Sequence, residues 1–223
     1  ADGAPDVAFK LIRKVEQKLK KLGAEVVVVS FDQMPQNFWS SALFVLQHEF
    51  YIGLNAYLNK SKSNMKNMES VIDFNVSNRK QIMEFYGQEY FIKSVESAPG
   101  KTIDNVRTED IYQQSLDVLE YAKNSLDKAL LNDDLDGLVG LTRNTAWKID
   151  YETGDTFENG WGNGALSAIS GYPHVTIPLD YVNNLPTGLS FMGTAWDEAS
   201  LINMAYAFEQ ENNFFPRPTQ DKN

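Results

Sequence analysis

Ser167–Gln210 reads SAISGYPHVTIPLDYVNNLPTGLSFMGTAWDEASLINMAYAFEQ, and its punctuation predicts the fold. A short helix of small residues, Ala165 to Ser170, stops at Gly171. Val175, Ile177 and Leu179 alternate with polar neighbours, the period of a strand with one buried face. Asn183, Asn184, Leu185 and Pro186 form a turn, after which Leu189 and Phe191 begin a second strand that ends at Gly193. A last helix opens on Asp197 and Glu198, acidic residues that suit a helix N-terminus, and carries Leu201, Met204, Ala205 and Phe208 on one side.

Upstream, Val7, Leu11, Val15, Leu19 and Leu22 recur at three-and-four spacing, so Pro5 to Leu22 is expected as an amphipathic helix closed by Gly23. Val26 to Val29 are four consecutive β-branched residues, and they predict a strand covered on both faces. Helical patterns follow at Asn37–Leu58, at Ser70–Val95 with a break at Gly87, and at Thr108–Leu131. Leu135, Leu138, Val139 and Leu141 suggest another buried strand. Thr142 to Gly164 has four glycines and no period, and is read as a long surface loop of the kind that often carries function. These readings imply an α/β fold, a mixed β-sheet flanked by helices, in one domain over 1–223 with a tail at 213–223.

The chain has 223 residues and a formal charge of −10, with 13 Phe, 10 Tyr and 4 Trp. That is a globular composition, and its acidity opposes a nucleic-acid partner, which needs clustered Lys and Arg. Absence of cysteine removes disulfides, thiolate nucleophiles and thiolate metal sites, and leaves the compartment open. No apolar run reaches the ~20 residues of a membrane span.

Several blocks resemble the C-terminal part of the amidase signature family. They are Leu22-Gly23-Ala24-Glu25-Val26-Val27, Asp73-Phe74-Asn75, Phe85-Tyr86-Gly87-Gln88-Glu89, Leu135-Asp136-Gly137-Leu138-Val139, Gly171-Tyr172-Pro173, Thr176-Ile177-Pro178, Leu185 to Phe191 and Ala205 to Gln210. The resemblance implies hydrolysis of carboxylic amides by a Ser, a bridging cis-Ser and a Lys, with an oxyanion hole in a Gly-Ser-rich loop. A serine hydroxyl needs a base to become a nucleophile, and an oxyanion needs fixed N–H donors. No Gly-Gly-Ser-Ser or Gly-Ser-Ser-Gly-Gly string is present, and Ser40-Ser41, Ser61-Lys62-Ser63, Ser167 and Ser170 lie in other contexts. No catalytic residue is therefore carried over, and the chain by itself is expected to be inactive. The resemblance implies that Thr142, Arg143, Asn144, Trp161 and Asn163 line the acyl side of a pocket for a small-molecule or peptide amide. It implies no cofactor. Trp161 as an apolar wall favours a stand-alone amidase over the A subunit of a tRNA-dependent amidotransferase. A non-catalytic association module is the other alternative.

Asn132, Asp134, Asp136 and Gly137 imitate the start of a calcium loop, but Arg143 falls where a bidentate Glu belongs, so no metal site is expected. His48 and His174 are read as structural. The aromatic run Phe38, Trp39, Phe44, Phe50, Tyr51 and Tyr57 is read as core, with a share of apolar surface open to self-association.

Overall fold

The computed structural model describes residues 6–132, 134–154 and 161–217. In chain order the elements are α1 (Asp6–Lys21), α2 (Phe38–Lys60), α3 (Met68–Ser77), α4 (Arg79–Ile82), α5 (Glu89–Ser97), α6 (Ile103–Arg107), α7 (Asp110–Asn132), β1 (Leu138–Leu141), α8 (Gly164–Ser170), β2 (His174–Val182), β3 (Leu185–Met192) and α9 (Glu198–Asn212). They group into two compact units, one of residues 1–33 and 122–223, the other of residues 34–121.

The first unit is built on a three-stranded antiparallel sheet in the order β1-β3-β2. The hairpin is set by Asn183 and Asn184. Both take positive φ, at 51° and 64°, so the two-residue turn has the primed geometry that matches strand twist. Asparagine tolerates that region better than most residues. Alternation then sends Val139, Leu141, Val175, Ile177, Leu189 and Phe191 to one face. That face packs on Ala8, Leu11 and Val15 of α1 and on Leu201, Ala205 and Phe208 of α9. Phe191 meets Phe208 edge to face, with centroids 6.1 Å apart. On the opposite face Leu138 and Met192 pack against Leu126, Ala129 and Leu130 of α7, with Leu166 and Tyr172 beside them. The Tyr172 hydroxyl donates to Asp127 at 2.7 Å. Helices thus cover both faces, and β3, between two neighbours, is the strand whose residues 189–192 are all buried.

Helices against a sheet agree with the expected α/β layering, but within the described residues every strand pair is antiparallel. The run Val26–Val29, expected as a strand covered on both faces, has no ladder partner there. Val28 is 97% exposed, and only Val29 of the four packs against the core cluster beneath α7. A β-branched run is a preference for extension; it becomes a sheet strand only where another backbone offers its N–H and C=O groups.

The second unit is helical. Tyr51, Met68, Ala98, Val106 and Tyr112 form its core. Polar tips on these rings are satisfied: Tyr51 donates to Glu69 at 2.8 Å and Tyr112 to Glu49 at 2.6 Å. Asn67 and Ser70 form a reciprocal capping box at the start of α3. Buried His48 places Nδ1 3.0 Å from the Phe44 carbonyl and its ring 4.0 Å from the Phe44 ring, a structural role within this unit.

Candidate functional site

The polar face of the sheet presents a small grid fixed by register. Gly140, Ser190 and Thr176 stand in one row across β1, β3 and β2. His174 and Met192 stand in the row on one side, and Gly188 and Pro178 in the row on the other. Beyond β1, Thr142 continues the ladder by donating its N–H to the Gly188 carbonyl at 2.9 Å.

Ser190 is the hub. It is fully buried. Its Oγ lies 2.7 Å from Thr142 Oγ1, 2.5 Å from His174 Nε2 and 3.4 Å from Thr176 Oγ1. Thr176 Oγ1 is also 3.3 Å from His174 Nε2. Burial holds the His174 pKa below the usual imidazole value, because the charged ring would lose hydration. Three hydroxyls and a neutral imidazole can exchange donor and acceptor roles without stranding a charge.

Two glycines make this grid possible. A Cβ on Gly188 would come within 2.7 Å of Thr142 Oγ1 and 2.9 Å of Thr176 Cγ2, so only the bare backbone fits. A Cβ on Gly140 would overlap the Asn163 amide, which lies directly on that strand. Asn163 stands at the N-cap position of α8 without a side-chain capping bond, and Ser167 follows one turn later on the same helix. Asn163 Oδ1 and Ser167 Oγ are buried with no hydrogen-bond partner among the described residues, which is costly for polar atoms unless a ligand or another segment completes them.

The five residues singled out from the sequence fall at the two ends of one loop. Arg143 bridges Gly162 in an antiparallel pair, and Asn144 donates its N–H to the Trp161 carbonyl at 2.9 Å. Residues 155–160 of that loop lie outside the described residues. Thr142 lies against Gly188 and Asn163 against Gly140 on the polar face. Trp161 instead packs against the core cluster of α1 and α9. Arg143 is exposed, and its guanidinium stands 5.0 Å from the Trp147 ring centroid, a cation–π distance. Asn144 is half-buried beside it.

Sequence reasoning did not single out Ser190 or bring His174 to it. A Ser–His contact invites the idea of a nucleophile. Here the hydroxyl is enclosed, and its partners are hydroxyls and the imidazole. Among the described residues no helix is long and apolar enough to cross a membrane.

No protein-family model matches the chain. Individual proteins do. The A subunit of glutamyl-tRNA(Gln) amidotransferase from Thermoanaerobacter pseudethanolicus is 34% identical over 110 residues, 48% of this chain and 22% of the relative. A protein named as a probable amidase of Arabidopsis thaliana is 30% identical over 166 residues, 73% of this chain and 27% of the relative. The solved native peptide amidase from Stenotrophomonas maltophilia superposes with a TM-score of 0.82 at 29% identity, over 96% of this chain and 41% of that one. An amidase family protein from Bacillus anthracis gives 0.70 at 25% identity, over 95% and 36%. The chain therefore spans 22% and 27% of these curated relatives and 41% and 36% of these solved chains.

Proposed function

The chain belongs to the amidase signature family, and from that premise we propose that it is the C-terminal, non-nucleophilic portion of an amidase that hydrolyses carboxylic amides. The observation that carries this reading is the polar sheet face: a glycine-floored surface whose hydroxyl–imidazole contact joins buried Ser190 to half-buried His174. In this reading the nucleophilic Ser, the bridging Ser and the Lys belong to polypeptide outside this sequence. The present chain contributes sheet scaffold and one wall of the substrate pocket. Thr142 and Asn163 face the amide substrate, and Arg143 and Asn144 border them. Trp161 supports the wall from the core side, which keeps the wall apolar behind its polar front.

The chemistry required of this wall is modest. A carboxamide carries both a donor and an acceptor. A buried amide oxygen with no partner among the described residues, as at Asn163, suits an N–H, and the Ser167 hydroxyl suits either. Positioning of this kind raises the rate only when the reactive hydroxyl is supplied alongside it.

The test is direct. Purified 223-residue chain, offered peptide amides and small primary carboxamides, is expected to release no ammonia above background. Turnover that is lost with serine-directed inhibitors and in Ser190→Ala would overturn the reading, because it would make Ser190 a nucleophile. A second reading, the A subunit of a tRNA-dependent amidotransferase, is favoured by the similarity to that protein in Thermoanaerobacter. Co-purification with the other amidotransferase subunits would select it. Binding to a partner, with no amide turnover even when the missing portion is restored, would select an association module.

A further inference from the structure

Ser190 stands between Thr142 and His174, and its hydroxyl proton can serve only one of them at a time. Ser190 Oγ lies 2.7 Å from Thr142 Oγ1 and 2.5 Å from His174 Nε2, with Thr176 Oγ1 farther off at 3.4 Å. A hydroxyl has one proton to give and two lone pairs to receive with. If the Ser190 proton goes to Nε2, Ser190 accepts from Thr142, and the chain runs from Thr142 through Ser190 to His174. If Nε2 carries a proton, Ser190 accepts from the ring and gives its own proton to Thr142, and the chain runs backward. The first order uses the hydroxyl protons inside the buried grid, whereas the second sends the Thr142 proton out of it. A site short of water favours the closed order. The ring gives a second reason. With Nε2 accepting, a neutral imidazole carries its proton on Nδ1. That edge lies toward α8, where a Cβ on Gly164 would stand 3.3 Å from His174 Cε1 and 3.8 Å from Nδ1. The residue beside Gly164 is Asn163, whose buried Oδ1 has no partner among the described residues.

We infer that His174 sets, through Ser190, the hydrogen-bond polarity of Thr142. This rests on the reading above only in taking Thr142 as a residue that faces the amide. With the ring neutral, the Thr142 proton is committed to Ser190, and its oxygen shows lone pairs that receive an amide N–H. When the ring takes up a proton from solvent, Nε2 becomes a donor, the Ser190 proton turns to Thr142, and Thr142 is left with a proton to give. Donor then meets donor at the wall. His174 and Ser190 are positioning residues, since they act on the substrate through Thr142. Charged neighbours do not compete for this role. The strands β1 and β3 and the helix α8 carry no charged side chain. On α7, Asp127 accepts from the Tyr172 hydroxyl at 2.7 Å and Lys128 pairs with Asp32 at 2.7 Å. Asp197 stands over Gly193, and Asp180 of β2 is paired with Lys14. The helices α1 and α9 pack on the other face of the sheet. Burial therefore governs the ring, and the reversal falls below the usual imidazole range.

Nitrogen NMR of the 223-residue chain labelled at histidine tests this. There are two rings, and the signals lost in His174→Gln are those of His174. At about pH 7.5, above the ordinary imidazole range, the ring should be the Nδ1-protonated tautomer, and Ser190→Ala should abolish that preference. Thr142→Val removes the acceptor that the reversed chain needs. The His174 midpoint should therefore move further down in that variant, with the neutral tautomer unchanged, and Thr142→Ser should restore the parent midpoint. An Nε2-protonated ring in the neutral parent overturns the proposal, and so does a midpoint that stays put or rises in Thr142→Val. Should Thr142→Val fail to fold by circular dichroism, the parent tautomer and the Ser190→Ala spectrum decide. With the missing portion restored, KM for a primary carboxamide should rise several-fold as pH falls through that midpoint, with kcat moved far less, and the rise should vanish in Thr142→Val. A KM with the same pH dependence in both enzymes overturns the link to substrate. Absence of turnover counts against the amidase reading alone, because the NMR results need no activity.

Discussion

Gly188→Ala is the sharpest probe of the polar sheet face. The added methyl would sit 2.7 Å from Thr142 Oγ1, 3.1 Å from Thr142 Cβ and 2.9 Å from Thr176 Cγ2. Thr176 is exposed and can turn away. Thr142 has less freedom. Its N–H is tied to the Gly188 carbonyl at 2.9 Å and its hydroxyl to Ser190 at 2.7 Å. Relief therefore means giving up a hydrogen bond or shifting the strand. Overpacking of this kind costs about 1–3 kcal/mol. Loss of the Thr142–Ser190 contact adds about 0.5–1.5 kcal/mol. We expect Gly188→Ala to cost about 2–4 kcal/mol by urea unfolding, and to lower Tm by roughly 5–15 °C. The cause is separable from glycine's general flexibility by a double-mutant cycle with Thr142→Ala, which removes the 2.7 Å contact in advance. The penalty of Gly188→Ala in that background should shrink by about 1–2 kcal/mol. Additivity within ~0.5 kcal/mol would refute the steric account.

Other perturbations read the same cluster. His174 is held neutral by burial, so its folded pKa lies below its unfolded value near 6.5. It contributes full stability above the unfolded pKa, and that contribution falls as pH drops through about 6.5 toward the folded value. Stability of His174→Gln, compared with the parent between about pH 7.5 and 5, should therefore lack this part of the acid slope; parallel curves would contradict the assignment. Ser190→Ala strips partners from Thr142 and His174 and should cost about 1–3 kcal/mol, whereas Ser167→Ala removes a buried hydroxyl with no partner among the described residues and should be neutral or stabilising. Equal losses in the two denaturation curves would show that Ser167 is satisfied after all.

Local sequence carried the hairpin because alternation, an Asn-Asn turn and an acidic helix start all agreed on it. The polar cluster was hidden by that same alternation. His174, Thr176 and Ser190 read as the solvent face of a half-buried sheet, and nothing local reports that α7 and α8 come to cover part of it. Two glycines, at 140 and 188, carried the available signal, since a strand interior rarely accepts glycine without a close neighbour. In α2 the composition was legible and the partition was not. Phe38 and Tyr51 are core as expected, and Phe44 is partly buried against that core, while Trp39, Phe50 and Tyr57 are exposed. An all-round apolar helix has no moment to point with, and tertiary contacts alone decide which side is used. The short helix α6 left no signal in the sequence, because one turn capped by Thr102 is too brief for periodicity. Val26–Val29 failed for the opposite reason: its preference was strong, but a strand is a property of two backbones.

The bridge between Arg143 and Gly162 has a consequence for how such a protein can diversify. Chain leaves the sheet and returns to it at one clamped point, where main-chain pairing of Arg143 with Gly162 and the packing of Trp161 on the core fix the two ends. Between those ends, residues 145–154 supply none of the hydrogen bonds of Ser190 and none of the nearest neighbours of Gly140 and Gly188, so substitutions there are expected to leave that floor in shape. An engineer wishing to graft a different segment would cut at the same two residues.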